Sequence, residues 1–253
     1  MQIEGTAAVV TGGGSGLGRA TAEMLVQAGA RVTIFDRDHK GGGKTASELG
    51  VTFQAVDVTD DAGVASALEK AEIANGVARI LVNCAGIAPA LRIVDRNGAA
   101  HDLDTYRRTV EVNLVGTFNL ISQAAARLIA AGVEGEEAGV FINTASVAAY
   151  DGQIGQAAYA SSKAGVAGLT LPAARDLAQH RIRVIAIAPG IFLTPMMASF
   201  SQEIQDSLGR QVPHPSRLGQ PSEYARLTQA IITNPMLNGE VIRLDGAIRM
   251  APR

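Results

Sequence analysis

Ser146, Tyr159 and Lys163, in the stretch NTASVAAYDGQIGQAAYASSK, are the residues whose types and spacing best suit chemistry. Tyr159 and Lys163 are four apart, so a helix over AAYASSKAGVAGL would bring a phenol and an ammonium onto one face, one turn from each other. A free phenol ionises near pH ~10, too high for proton exchange at neutrality, and a neighbouring cation favours the phenolate. Lys163 would tune, and Tyr159 would transfer. The hydroxyl of Ser146, at the end of the strand-like run GVFINTAS, would hydrogen-bond a substrate oxygen while its charge changes. Together the three fit the acid–base centre of a nicotinamide-dependent alcohol dehydrogenase. Tyr-x-x-x-Lys alone is a common accident of amphipathic helices, so the rest of the chain has to decide.

A dinucleotide site is legible near the N-terminus. TAAVVTGGGSGLGRATAEMLVQAGARVTIFD reads as strand, glycine turn, amphipathic helix and second strand, a β-α-β unit. Gly12 allows the tight turn, and Gly16 and Gly18 let backbone and helix approach a pyrophosphate, which would sit on the unpaired N–H groups of the helix start. Asp36 ends the second strand. Its carboxylate would accept hydrogen bonds from ribose hydroxyls and repel a 2′-phosphate, favouring NAD over NADP, although Arg37 next to it could serve the extra phosphate.

Downstream, apolar runs alternate with helical patterns. Strands are expected at Ala7 to Val10, Arg31 to Phe35, Thr52 to Ala55, Ile80 to Asn83, Val140 to Thr144, Arg183 to Ala188 and Val241 to Leu244. Helices are expected near Gly18 to Gln27, Ala62 to Ala74, Leu103 to Ala131, Ala158 to Gln179 and Ser222 to Thr233, with a bend at Pro172. The pattern predicts an α/β fold: a single Rossmann domain over residues 1–253, doubly wound, its seven-stranded parallel sheet covered by helices on both faces. The long connection from Ile87 to Asp102 follows a strand's carboxyl end, where ligands sit in such sheets.

Composition narrows the class. A net charge of −2 over 253 residues offers no basic surface for nucleic acid. The four histidines, His39, His101, His180 and His214, lack ligand spacing, so no metal site is expected. Cys84 is alone, which excludes an intramolecular disulfide. MQIEGTAAVV carries Glu4 ahead of a short apolar run and does not read as a signal peptide, and no apolar segment is long enough to span a bilayer. A cytoplasmic location is the expectation.

TGGGSGLG, Asp57-Val58, NCAG at 83–86, Asn113 in EVNLVGTF, Ser146, YASSK and PGIFLT together resemble the short-chain dehydrogenase/reductase family over essentially the whole chain. The resemblance implies that Ser15 and Leu17 meet the cofactor through the glycine loop, that Asp57 and Val58 contact the adenine, and that Cys84, Ala85 and Gly86 touch the cofactor through their backbone. It also implies that Pro189 to Thr194, with Phe192 among them, closes on the nicotinamide, that Lys163 binds its ribose beside Tyr159, and that Asn113 holds a water linking Lys163 to solvent. Within the family, NCAGIA, INTASVAAY, the run from Gly152 to Ala178, IAPGIFLTPM and NGEVIRLDGAIRM are similar to the branch acting on 3-hydroxyacyl-CoA thioesters. That similarity implies NAD-dependent interconversion of a (3S)-3-hydroxyacyl-CoA and the 3-oxoacyl-CoA by a homotetramer. Gln153 and Gln156 are candidates for the acyl pocket, and Phe192 and Met196 for an apolar wall. Reduction of a carrier-protein thioester, oxidation of a hydroxysteroid, and a non-enzymatic NAD sensor stay open as alternatives.

Overall fold

In the computed structural model, residues 1–252 are described, Met196 through its main chain only. Seven strands form one sheet: β1 (Ala7–Thr11), β2 (Arg31–Asp36), β3 (Thr52–Ala55), β4 (Ile80–Asn83), β5 (Gly139–Thr144), β6 (Ile182–Pro189) and β7 (Val241–Leu244). Their order is β3-β2-β1-β4-β5-β6-β7 and every pairing is parallel. The central strands β1, β4 and β6 are buried along their whole length because both faces are covered, whereas the edge strands β3 and β7 are only half-buried.

Alternation along each strand sends side chains to two cores. Val9, Leu81 and Phe141 pack against α3 (Asp61–Asn75), α5 (Gly116–Ala130) and α6 (Ala157–Ala178). Their neighbours Val10, Val82 and Ile142 pack against α1 (Gly16–Gln27), α2 (His39–Leu49) and α9 (Pro221–Thr233). Burying each of these side chains contributes about 1.5–3 kcal/mol. Between β1 and β4 the strand order reverses, and the crevice opening there at the carboxyl ends is where this architecture takes its ligands.

Three departures from the sequence reading bear on the site. Helix α2, HKGGGKTASEL, was not expected, since three successive glycines weaken a helix. Asp38 caps it through Lys40 N–H, Gly50 ends it in the left-handed region, and Thr45 donates to the Gly14 carbonyl at 2.9 Å, so α2 braces the glycine turn. A side chain at Gly42 would collide with Phe53 and with Asp36, which explains the glycine there. The long helix expected from Leu103 to Ala131 is α4 (Leu103–Val110) and α5 joined by a π turn, Glu111–Val115, with Asn113 inside it. Helix α6 runs through Pro172 to Ala178, as expected. Two further short helices, α7 (Pro195–Ala198) and α8 (Gln202–Gly209), occupy the segment after β6.

Candidate active site

A cleft of about 430 Å³ runs along the carboxyl ends of β1, β2, β4 and β5. Its floor is the glycine turn. Gly12 has φ +63°, and a Cβ there would stand 2.8 Å from the Ala85 amide, so this turn and the end of β4 touch only because residue 12 has no side chain. Ser15, the N-cap of α1, makes no side-chain cap and no acidic residue occupies the first turn. The amides of Gly16, Leu17 and Gly18 therefore lack an internal acceptor, and all three residues line the cleft. This donor set suits a pyrophosphate.

Asp36 lines the same cleft, its carboxylate held by the amides of Gly14 and Asp38, both at 2.9 Å. Asp57 and Val58 form the next stretch of wall. Burial opposes ionisation of Asp57, but hydrogen bonds from Thr59 and Arg108 outweigh it and hold the carboxyl at about 2. Arg108 reaches it at 2.7 Å and Arg37 at 4.0 Å. Arg37 thus leans toward Asp57.

The inner end holds Tyr159 and Lys163, one turn apart on α6. The Lys163 Nζ stands 5.8 Å from the centre of the Tyr159 ring and donates at 2.6 Å to the main-chain carbonyl of Thr144, the last residue of β5. Burial pushes this ammonium down to about 8. Tyr159 departs from the sequence expectation: burial raises its phenol above the ordinary value, and the opposing pull is a hydrogen bond from Ser146. Burial therefore favours the protonated phenol. Ser146 is buried, and its Oγ accepts the Ala148 amide at 3.1 Å, which leaves its one hydroxyl proton for the Tyr159 oxygen.

A family model for short chain dehydrogenases matches residues 6–205. The chain belongs to the short-chain dehydrogenase family. It is 50% identical to 3-hydroxyacyl-CoA dehydrogenase type-2 of Drosophila melanogaster over 99% of this chain and 100% of that one. It is 51% identical to the Homo sapiens protein of the same name, over 99% and 97%. The crystal structure of 3-hydroxyacyl-CoA dehydrogenase type-2 from Mycobacterium avium superposes with a TM-score of 0.94 at 42% identity, covering 100% of this chain and 99% of that one. This short-chain dehydrogenase is therefore an oxidoreductase using a nicotinamide cofactor, and the glycine turn, Asp36 and the free amides of α1 fit such a group.

Of the residues expected at the dehydrogenase's cofactor, Gly12, Ser15, Gly16, Leu17, Gly18, Asp36, Asp57, Val58, Cys84, Ala85, Gly86, Tyr159, Lys163 and Thr194 all line the cleft. Pro189 and Phe192 do not. Pro189 is buried in the sheet beside Leu244, and the Phe192 ring lies against Gly219 in a separate pocket with Val212 and Leu244, because a large apolar ring gains more there than at a polar cleft. Nor do Gln153 and Gln156 face the cleft. The Gln156 Oε1 accepts the Gln153 amide at 3.1 Å and the Gln153 side chain donates to the Ala251 carbonyl at 3.0 Å, tying this loop to the C-terminal segment. The side chain of Met196 is outside the described residues. Asn113 is buried behind the cleft, its amide group donating to the Ile87 carbonyl and to Ser162 Oγ, each at 2.9 Å, so the side chain is a brace between the end of β4 and α6. Sequence reading missed Thr144 and Arg108, whose placement depends on partners 19 and 51 residues away that no local motif signals. Cys84 borders the cleft, and burial pushes its thiol pKa up. Among the described residues no His, Cys, Asp or Glu cluster could hold a metal ion, and no helix is long and apolar enough to cross a membrane.

Proposed function

We propose that this chain interconverts (3S)-3-hydroxyacyl-CoA and 3-oxoacyl-CoA with NAD. The observation that carries this reading is that Lys163 and Tyr159 line the cleft that also holds the glycine turn and Asp36, with the Ser146 hydroxyl bonded to Tyr159. The thioester substrate comes from the relatives, which match over nearly full length. NAD rather than NADP is favoured by Asp36, fixed as a carboxylate acceptor on the wall.

In this mechanism Ser146 turns its hydroxyl proton from Tyr159 to the substrate oxygen, and Tyr159 gives the proton in reduction or takes it in oxidation. The bound nicotinamide supplies the hydride chemistry. Lys163 sustains the exchange, since an amine held near 8 can gain and lose a proton close to neutrality. Asn113 keeps the Ile87 main chain and α6 in register beside it. We assign a homotetramer in the cytoplasm. Exposed Val115 and Phe118 on the π turn and α5, and Leu171 on α6, are apolar surface that assembly would cover.

The test is kcat/KM with NADH and NADPH against acetoacetyl-CoA, a carrier-protein thioester and a ketosteroid, with Tyr159→Phe in parallel. NADH with acetoacetyl-CoA is expected to lead, and Tyr159→Phe to abolish turnover while binding NADH. A lead for either rival substrate overturns the thioester assignment, and wild-type enzyme inactive on all three supports a sensor instead.

A further inference from the structure

Tyr224 on α9 is fully buried, lies across the sheet from α6, and takes no part in the proton transfer described above. Its hydroxyl lies 2.8 Å from Thr144 Oγ1, and that Oγ1 lies 2.6 Å from the main-chain carbonyl of Asn83. A carbonyl can only accept, so the single Thr144 hydroxyl proton goes to Asn83 and Tyr224 must be the donor to Thr144. The Cys84 thiol completes the sequence by donating to the Tyr224 oxygen at 3.7 Å. Protons therefore run one way, from Cys84 to Tyr224 to Thr144 to Asn83. Burial pushes the pKa of both Tyr224 and Cys84 up, which keeps each of them protonated and a donor.

This chain of bonds ends on groups the reaction needs. The Thr144 carbonyl is the acceptor for Lys163, Ser146 follows two residues later, and Asn83 leads into the Ala85-Gly86 wall. Burying a hydroxyl costs free energy that a phenylalanine of the same shape would avoid. We propose that Tyr224 is a positioning residue for the acid–base centre: its hydroxyl, through Thr144, locks the carboxyl ends of β4 and β5 so that Lys163 and Ser146 hold their places. The proposal rests on the reading of Ser146, Tyr159 and Lys163 given above.

Tyr224→Phe and Thr144→Val, alone and combined, test it against wild type. Tyr224→Phe is expected to lower kcat for acetoacetyl-CoA reduction about tenfold, as sub-ångström misplacement of reacting groups does, with KM for NADH nearly unchanged. The alkaline limb of its pH profile should move to lower pH, because an ammonium with a less secure acceptor gives up its proton sooner. The double variant should be no slower than Thr144→Val, since both break one chain, and Thr144→Ser should recover most of the loss. Wild-type kcat and pH profile in Tyr224→Phe overturn the proposal, as does a loss that melting and NADH binding track in proportion, which is a purely structural effect. If Tyr224→Phe does not fold, Thr144→Val with its serine rescue decides by the same criteria. Tyr159→Phe is assayed alongside. Turnover surviving in it sinks the functional reading itself, whereas an inactive Tyr159→Phe beside an unaltered Tyr224→Phe sinks only this proposal.

Discussion

The two ends of the sheet each bury a cation, and they treat it differently. At the amino-terminal end Arg183 is 6% exposed, yet its guanidinium is paired with Glu137 and donates to the main-chain carbonyls of Ile231, Ile232, Asn234 and Leu237. At the carboxyl end Lys163 is 5% exposed and has, among the described residues, the Thr144 carbonyl alone. Equal burial with unequal pairing separates structure from chemistry. Arg183 is a strut that collects the C-terminus of α9 and the strand ends, a task for a guanidinium fork. Lys163 is a cation left short of partners, so burial lowers its pKa to about 8 and makes its proton exchangeable. The sign for stability follows. Above about 8 the folded chain has released a proton that the unfolded chain keeps until about 10.5, so Lys163 opposes folding at neutral pH and that cost lessens as pH rises through the window.

Replacing each cation by methionine should break the pair apart. Lys163→Met is expected to reduce turnover by a factor of about 1000 or more, read by steady-state kinetics. Arg183→Met is expected to lose about 3–5 kcal/mol of stability in urea denaturation, because Glu137 and the helix-end carbonyls are left buried and unpaired, while folded molecules still turn over. The smallest effect is the stability of Lys163→Met, expected within about 1 kcal/mol of wild type or above it, since removing a poorly paired buried charge also removes its desolvation cost. Equal destabilisation by both substitutions would erase the distinction.

Much of this was legible in the chain. Every strand of the sheet appears where period and apolarity place it, within a residue at each end, because a parallel strand buried on both faces writes itself as a continuous apolar run. The glycine turn and Tyr-x-x-x-Lys are local patterns, and the residues of the first and the Tyr-Lys pair of the second line one cleft. What sequence hides is where a side chain turns. Phe192 was expected over the nicotinamide, but its ring chose the groove above Gly219, a choice between a polar cleft and an apolar groove that spacing cannot rank. Gln153 and Gln156 satisfy each other and the distant C-terminal segment. Helix α2 is a case where caps and a close approach to the glycine turn outweigh poor intrinsic propensity. The phenolate expected from a neighbouring lysine is opposed by the burial of Tyr159, which packing sets and spacing does not show.

Lys163 is a buried, under-partnered amine whose proton is exchangeable near neutrality. Carbon-13 NMR of the lysine Cε signals in wild type and Lys163→Met, titrated from pH 6 to pH 11, reads that proton directly. One resonance, absent from the variant, should titrate with a midpoint near 8; a Lys163 midpoint at or above the ordinary 10.5 would contradict the account.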